Sequence, residues 1–431
     1  IEVLRDGAGA QYGSDAIGGV LNYGLREDGG IELQGLYGQN YDNGGDGETW
    51  QVSGYGGLKL GDRGFISVAG EYYDSKGTSR GAQRPSAVNF ANQFPALANQ
   101  LPNFPGPVQI WGSSPSNGWK VVVNSEFEFS SAAKVYLFGN FAHSEADQSF
   151  NHREVVTSTA TRFNGTASSV GTLSANSAFR HPIYLTPCPA ANATCPTGGW
   201  VKDTNVFNFS TLYPAGFTPR FIGVTDQAIG VAGIKGEFES GMTYDLSGSL
   251  ARQSLDLSMN QSLSPSYGPQ TQTEFRFGKL IQRELNLNLD LAYPVDVGFA
   301  SPLTLSAGAE FRREEYEATE GELQSYGAGP YAVQNLYNQT SPGVFAFDST
   351  VTMPPSASGY GGTSPTFAGA SSEKSYGVYV GLEGDLTDRL SMGLAGRYEH
   401  YENFGSTTVG KINALYELTD TLSVRATAGT G

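Results

Sequence analysis

Long apolar runs are missing from this chain of 431 residues. A membrane-spanning helix needs roughly eighteen or more consecutive apolar residues, so the sequence excludes a spanning helix. It does not exclude a spanning β-barrel, because barrel strands need apolar side chains only at every second position. Glycine, tyrosine and phenylalanine are abundant, with 57, 23 and 24 residues, while only 39% of the residues are hydrophobic. This composition favours one long all-β domain over several soluble domains.

Basic residues are scarce as well. The 26 lysines and arginines stand against 42 aspartates and glutamates, which gives a formal net charge of -16. Nucleic-acid phosphates require a basic face, so the sequence argues against a nucleic-acid partner.

The sequence carries little that could support catalysis or bind a metal. Its four histidines, His143, His152, His181 and His400, lack the spacing of metal ligands, so we expect no metal site and no other cofactor. No G-x-S-x-G elbow or other nucleophile motif is present, and we expect no enzymatic activity.

Only two cysteines are present, and both lie in the stretch "TPCPAANATCPTGG". Cys188 and Cys195 would close a short loop, which predicts a disulfide and an oxidising compartment. A zinc-binding pair would be closer in sequence and would have histidine partners.

From residue 31 onward, apolar and polar residues alternate with a period of two. In "ELNLNLDLAY", the residues Leu285, Leu287, Leu289 and Leu291 share one face, and Asn286, Asn288 and Asp290 share the other. The alternation predicts about thirteen strands, with boundaries accurate to a few residues. They cover 31–41, 48–60, 64–74, 119–129, 133–145, 225–239, 242–257, 273–293, 302–315, 373–386, 389–402, 407–418 and 421–431. Most reach the length that a tilted transmembrane strand requires.

The connections between these strands alternate in length. Every second connection is short and has the Asp, Gly or Ser residues of tight turns, as in "GDR", "SSA" and "TD". The others include long loops rich in Pro, Gly, Asn and Ser, at about 75–118, 146–224, 258–272 and 316–372. The strands of a soluble β-sandwich would also alternate apolar and polar residues. Its connections, however, would not be sorted into short turns at one end and long loops at the other. The pattern is typical of an outer-membrane barrel, with the short turns facing the periplasm.

The opening stretch, "IEVLRDGAGAQYGSDAIGGVLNY", is rich in glycine. Its spacing is one residue too long for the dinucleotide-binding motif G-x-G-x-x-G, and Gly18 and Gly19 interrupt the helix that such a motif needs. The stretch closely resembles the end of the plug domain of TonB-dependent outer-membrane receptors. The matching residues are Ile1, Glu2, Val3, Arg5, Tyr12, Gly13, Ser14, Ala16, Ile17, Gly18, Gly19, Val20 and Asn22.

The final stretch, "TLSVRATAGTG", resembles a motif from the middle of the barrel in the same family. The resemblance implies the C-terminal end of a plug domain at 1–28 and an incomplete transmembrane antiparallel β-barrel at 29–431. Family barrels have about 22 strands around a plugged lumen, so about thirteen strands would be part of one. The first residue is not Met and no charged and then apolar leader follows it, so we expect that a signal peptide was lost or never included. We therefore expect a fragment that lacks the TonB box and most of the plug, with an unpaired edge prone to aggregation.

The resemblance implies active transport of a scarce ligand across the outer membrane of a Gram-negative bacterium. The expected partners are the TonB complex, a small-molecule ligand, and outer-membrane lipid and lipopolysaccharide. Family members hold the plug inside the lumen, where Glu2 and Arg5 would lie. The inward carboxylates Glu71, Glu126, Glu128 and Asp290 could pair with Arg5.

The ligand is predicted from loop 75–118. This loop contains no acidic residue, and its basic and aromatic residues could bind an anionic, partly aromatic ligand such as a ferric siderophore. The ligand-binding candidates are Arg80, Arg84, Phe90, Phe94, Phe104 and Trp111. Contact with lipopolysaccharide phosphates or simple loop packing are alternatives for the same residues. Saccharide, cobalamin and peptide ligands remain open, and a passive porin or a surface adhesin barrel would not explain the plug signature.

Overall fold

The computed structural model describes residues 1–4, 20–42, 45–154, 185–187, 200–202, 209, 212–341 and 344–430. Along the chain the elements are β1 (Glu2–Leu4), β2 (Val20–Asn22), β3 (Gly30–Gly38), β4 (Thr49–Lys59), β5 (Gly64–Ser75), α1 (Pro85–Gln93), β6 (Ser116–Ser130), β7 (Ala133–Ser149), β8 (Leu185–Pro187), β9 (Trp200–Lys202), β10 (Arg220–Glu237), β11 (Thr243–Asn260), β12 (Phe275–Val295), β13 (Leu303–Ala318), α2 (Leu323–Tyr326), β14 (Val333–Ser341), β15 (Val344–Thr352), β16 (Gly369–Thr387), β17 (Leu390–Tyr401), β18 (Gly405–Thr419) and β19 (Leu422–Gly429). No helix in these ranges is long and apolar enough to cross a membrane.

A single antiparallel sheet of 13 strands dominates the fold. Its strands lie in the order β3, β4, β5, β6, β7, β10, β11, β12, β13, β16, β17, β18 and β19, so each strand pairs with the next sheet strand along the chain. All thirteen strands predicted from the alternation are present, within a few residues of the expected boundaries. Three small antiparallel pairs, β1 with β2, β8 with β9 and β14 with β15, lie outside this sheet.

The two faces of the sheet differ in polarity, as the alternation predicts. In β12, Leu285, Leu287 and Leu289 lie on one face, and their pairing with β11 places Leu285 opposite Leu250 and Leu289 opposite Leu246. Leu246, Leu250 and Leu287 are exposed on this face, which we call the outer face. The opposite, inner face carries the polar residues of the same strands. A cavity of about 1050 Å³ lies against the inner face and is lined by residues from β6 through β18, so the sheet curves around it.

The connections are sorted by length between the two ends of the sheet. The end with short connections, called the turn end, has 60–63, 131–132, 238–242, 296–302, 388–389 and 420–421. The other end, called the loop end, has 39–48, 76–115, 150–219, 261–274, 319–368 and 402–404. This arrangement confirms the predicted alternation, and it places α1 and α2 at the loop end.

The loops at the loop end pack against one another. Three clusters of buried apolar side chains join them, and each cluster takes residues from different connections or strand ends. They consist of Phe209, Phe217 and Leu263; of Leu257, Met259, Phe275, Phe277 and Ala357; and of Ala87, Leu101, Val108 and Ala215. The loops therefore form a folded cap with its own core.

Candidate functional site

Ion pairs and hydrogen bonds cover the inner face of the sheet. The cross-strand ion pairs have nitrogen–oxygen distances between 2.5 and 3.2 Å and join Glu71 to Lys120, Glu126 to Lys235, Glu128 to Lys134, Glu284 to Arg312 and Glu310 to Arg397. Asp290 accepts a hydrogen bond from the Tyr379 hydroxyl at 2.5 Å. The four carboxylates predicted to point inward, Glu71, Glu126, Glu128 and Asp290, thus all lie on the inner face.

Among the residues that the structure describes, Arg397 is the most deeply buried cation on this face. Its side chain is 4% exposed and donates to Glu310 on β13 and to Glu399 on its own strand. Between β13 and β17 lies Gly377 of β16, which pairs with Glu310 on one side and with Glu399 on the other. Glycine leaves the space that the guanidinium occupies.

Some polar groups of the inner face have no partner within the described part of the chain. They are Asn140 Oδ1, Asn286 Oδ1 and Arg312 Nε, all buried. Asn286 and Arg312 lie directly opposite each other on β12 and β13. The charged and hydrogen-bonding side chains described above, rather than these buried atoms, make the inner face suited to a further polar surface packed against it.

Residues 23–29, which connect β2 to β3, are anchored on the inner face. The Arg26 guanidinium lies 3.8 Å from the centre of the Tyr55 ring and pairs with Asp28 and Glu32, both at 2.7 Å. Ser67 donates a hydrogen bond to the carbonyl of Arg26. The Tyr55 hydroxyl donates to the carbonyl of Asp28 at 2.5 Å. The Arg26 side chain lowers the pKa of Asp28 to about 2.

The plug signature lies only partly within the described residues. Glu2 and Asn22 face each other in the pair of β1 and β2, and the Asn22 amide donates to Glu2 Oε2 at 2.9 Å. The remaining signature residues lie outside the described part: Arg5, Tyr12, Gly13, Ser14, Ala16, Ile17, Gly18 and Gly19. The predicted disulfide between Cys188 and Cys195 also lies outside it.

Two arginines of the predicted ligand-binding loop bind to other segments of the same chain. Arg80 pairs with Asp42 and Asp46, both at 2.6 Å, and these carboxylates raise the pKa of Arg80 above its usual range. Arg84 precedes α1 and donates to the carbonyl of His152 at 3.3 Å. Arg80 therefore ties loop 76–115 to loop 39–48, and Arg84 ties it to the chain after β7.

The four aromatic candidates of this loop divide into two pairs. Phe90 and Phe94 lie on and just after α1, with ring centres 5.2 Å apart, and Phe90 packs against the buried cluster that contains Ala87. Phe104 and Trp111 remain 53% and 56% exposed. The structure therefore leaves two of the predicted aromatic side chains available at the surface of the cap.

His152 is a buried histidine in the cap that the sequence did not single out as functional. It is 4% exposed, and its main-chain N–H donates to Gln109 Oε1 at 2.8 Å. Its Nδ1 lies 3.2 Å from Thr218 Oγ1, whose hydroxyl donates to the carbonyl of Val108. Nδ1 is therefore the donor to Thr218. Burial lowers the pKa of His152 to about 4, so the ring is neutral at pH 7.

Sequence reasoning also missed Asp42 and Asp46, the partners of Arg80. They lie in a short loop, between β3 and β4, that was not among the long loops considered for binding. Their pairing with Arg80 could have been suspected, because this connection emerges at the same end of the sheet as loop 75–118. Within the described ranges no group of His, Cys, Asp or Glu is arranged to hold a metal ion.

The chain is similar to known proteins in sequence and in fold. The family model "TonB dependent receptor-like, beta-barrel" matches residues 190–431, more than half of the chain. No curated protein sequence matches the chain.

Several solved structures share the fold at low sequence identity. A mutant of the ferric enterobactin receptor (PfeA) from Pseudomonas aeruginosa, in complex with enterobactin, is 13% identical with a TM-score of 0.53; the match covers 99% of this chain and 48% of that one. The siderophore receptor PirA from Acinetobacter baumannii is 13% identical with a TM-score of 0.53, covering 99% and 47%. The ferric citrate transporter FecA is 12% identical with a TM-score of 0.51, covering 99% and 48%. The chain thus spans about half the length of these structures.

Proposed function

The chain belongs to the TonB-dependent receptor-like β-barrel family, and we propose that it takes part in the TonB-dependent uptake of a ferric siderophore across the outer membrane of a Gram-negative bacterium. The match of the family model to residues 190–431 confirms the family that was predicted, and together with the main sheet it confirms the predicted fold class, a partial transmembrane barrel. The observation that carries the proposal is the sheet itself, which combines an exposed apolar outer face with a polar, ion-paired inner face.

The inner face supports the division into a plug segment at 1–28 and a barrel at 29–431. Residues 23–29 are already bound to the inner face through Arg26 and Tyr55. The charged and polar side chains of the inner face, such as Glu71 and Lys120, are suited to a polar domain held inside the barrel. In this proposal Arg5 pairs with inner-face carboxylates, and TonB acts on the plug to open a path.

The ligand class is inferred from the cap and from the relatives. Exposed aromatic rings such as Trp111 and Phe104 can stack on an aromatic ligand. Two of the relatives named above are a ferric enterobactin receptor and a siderophore receptor. A saccharide is the second candidate, because aromatic side chains also stack on sugar rings.

Uptake by the full-length protein tests this proposal. A strain that lacks the gene is compared with the complemented strain for uptake of radioactive iron bound to enterobactin, and for growth on oligosaccharides as the sole carbon source. We expect uptake of ferric enterobactin to disappear in the deletion strain, and also in a complemented strain that lacks TonB. Loss of saccharide growth alone would overturn the siderophore assignment and leave TonB-dependent transport in place. Iron uptake that persists without TonB would indicate a passive porin.

A further inference from the structure

The inner face of the sheet changes from polar to apolar toward the loop end. Phe221 of β10 is directly opposite Met259 of β11. Phe221 is an even number of residues from Lys235 of the same strand, whose side chain lies on the inner face, so Phe221 and Met259 also lie on this face. The apolar side chains at this end form one surface inside the barrel opening, which we call the inner apolar patch: Phe221, Leu257, Met259, Phe275 and Phe277.

Part of loop 319–368 covers this patch. We call residues 353–363 the strap. Its Ala357 belongs to the same buried cluster as the patch and is only 5% exposed. Its Tyr360 ring lies 4.9 Å from the Phe221 ring and 5.0 Å from the Phe277 ring, measured between ring centres. The strap therefore lies inside the opening at the loop end and narrows it on the side of β10 to β12.

Hydrogen bonds hold the strap to the segments around the patch. The Ser358 N–H donates to the carbonyl of Leu263 at 2.9 Å, and the Ser262 hydroxyl donates to the carbonyl of Ser358 at 3.0 Å. The Thr363 N–H donates to the carbonyl of Phe277 at 3.1 Å. Ser262 and Leu263 belong to loop 261–274, and Phe277 belongs to β12. The strap is therefore bound to the barrel wall and to a second loop, as well as to its own loop.

Gly359 allows the strap to lie close to the patch. Its φ of +131° is a conformation that residues with a side chain rarely adopt. An added Cβ would lie 3.0 Å from Met259 Cε and 3.5 Å from the Phe150 ring. A larger residue at position 359 would therefore push the strap away from the patch.

Tyr360 is a side chain that the strap presents to the barrel opening. Both of its ring partners belong to the wall, and the residue remains 40% exposed, so its exposed part faces away from the wall. An aromatic ring fixed in this position offers a stacking surface to an aromatic group of a ligand.

We propose that the strap is a fixed constriction of the barrel opening and that Tyr360 contributes to ligand specificity there by stacking on an aromatic ring of the ligand. The strap stays bound to the inner apolar patch while the ligand binds beside it. The role of Tyr360 rests on the siderophore uptake proposed above, because it requires an aromatic ligand. The fixed position of the strap does not depend on the ligand.

Thiol labelling of cells that produce the full-length protein tests whether the strap is fixed. Ser358→Cys places a thiol at a strap position that is 7% exposed, and Phe367→Cys places one at an 81% exposed position of the same loop. After subtraction of the labelling of the parent protein, we expect a membrane-impermeant maleimide to modify Ser358→Cys at least about tenfold more slowly than Phe367→Cys. Ferric enterobactin should not change this rate. Equal rates for the two variants, or faster labelling of Ser358→Cys with ferric enterobactin, would overturn the fixed constriction.

The addition of Gly359→Ala to Ser358→Cys shows whether the packing on the patch holds the strap. The added methyl group requires a strained backbone and contacts Met259, so we expect labelling of Ser358→Cys to become faster. Labelling that stays slow in this double variant would contradict the close packing of the strap on the patch.

Binding of radioactive ferric enterobactin to whole cells at 0 °C tests the role of Tyr360. We expect Tyr360→Ala to weaken binding about fivefold, and Tyr360→Phe, which keeps the ring, to bind like the wild type. Phe367→Ala removes a more exposed ring of the same loop and should also bind like the wild type. Equal affinities for Tyr360→Ala and the wild type would overturn this role. Absence of binding by the wild type would instead refute the siderophore proposal, and the labelling rates would still decide whether the strap is fixed.

Discussion

The guanidinium group of Arg397 reaches Glu310 across an intervening strand, with 2.5 Å between Nη2 and Oε2. The path crosses Gly377 of β16, where an added Cβ would lie 2.8 Å from Arg397 Nη2. The side chain of Arg397 has little room to move because it is almost completely buried. One ion pair therefore spans three neighbouring strands of the inner face, and the glycine at position 377 leaves the space that the guanidinium occupies.

The variant Gly377→Ala tests this arrangement. The new methyl group displaces Arg397, so we expect a loss of about 1–3 kcal/mol in the free energy of unfolding, as for overpacking in a core. Thermal unfolding of the full-length protein in detergent measures the effect. Gly230→Ala is the matched control, because a Cβ at that strand glycine would meet no atom within 4 Å. Equal unfolding temperatures for the two variants would contradict the role of Gly377.

Because His152 is buried, we expect the cap to become less stable at acidic pH. Burial lowers the pKa of this ring from the usual 6.5 to about 4. Below pH 6.5 the unfolded loop therefore binds a proton that the folded loop excludes, and stability falls as the pH drops toward 4. The full effect of such a shift is about 3 kcal/mol, reached only near pH 4 and below. Arg84 and Arg153 also disfavour the charged ring, whereas Glu154 favours it.

Limited proteolysis of the loops between pH 7.5 and 4.5 measures this dependence. In the variant His152→Gln we expect a smaller rise in cleavage on acidification than in the wild type. The half-buried His143→Gln, in β7 of the main sheet, serves as the control, and its profile should follow the wild type. A wild-type cleavage rate that does not change over this range would show that His152 does not limit the stability of the cap.

The bond from Tyr55 to the carbonyl of Asp28 predicts how firmly residues 23–29 are held. Tyr55→Phe keeps the ring beneath Arg26 but removes the hydrogen bond, which contributes about 1 kcal/mol. Cleavage by trypsin after Arg26 should become roughly fivefold faster, because cleavage follows the population of the released segment. Tyr37→Phe removes a hydroxyl that bonds to Gln39 and should leave the rate unchanged. Equal rates for Tyr55→Phe and the wild type would mean that this bond does not hold the segment.

The aromatic residues of loop 76–115 predict a division of roles in ligand binding. Trp111→Ala should weaken ferric siderophore binding about tenfold, because a large exposed ring is lost. Phe90→Ala should instead act through the stability of the loop. The exposed Phe404→Ala is the control, because Phe404 also lies at the loop end but between β17 and β18, near the opposite edge of the sheet. Binding of radioactive ferric enterobactin to whole cells at 0 °C separates binding from uptake. Unchanged affinity in Trp111→Ala would exclude this ring from the site.

The main sheet was predictable because its strands and turns are determined by residues that lie close together in the sequence. Alternation along each strand and the length of each connection specify thirteen strands and the two ends of the sheet.

The cap was not predictable in the same way. Ser262, Ser264 and Ser266 would be expected on the surface from their polarity, yet all three are fully buried beneath other loops. Arg80 was expected to be available for a ligand, but its partners Asp42 and Asp46 lie more than thirty residues earlier in the chain. Such contacts depend on which loops meet at one end, and that follows only from the complete topology.

In the proposed outer-membrane location, the packing of the loops into one folded cap has a consequence for any molecule that binds the cell surface at this end. An antibody or a phage that binds this end would contact a discontinuous epitope. Its segments, such as those around Phe104, Leu212 and Tyr360, are distant from one another in the chain. A peptide that copies one loop would lack the neighbours that give this loop its shape. We therefore expect such peptides to compete poorly, and heat to abolish recognition even though every segment is still present.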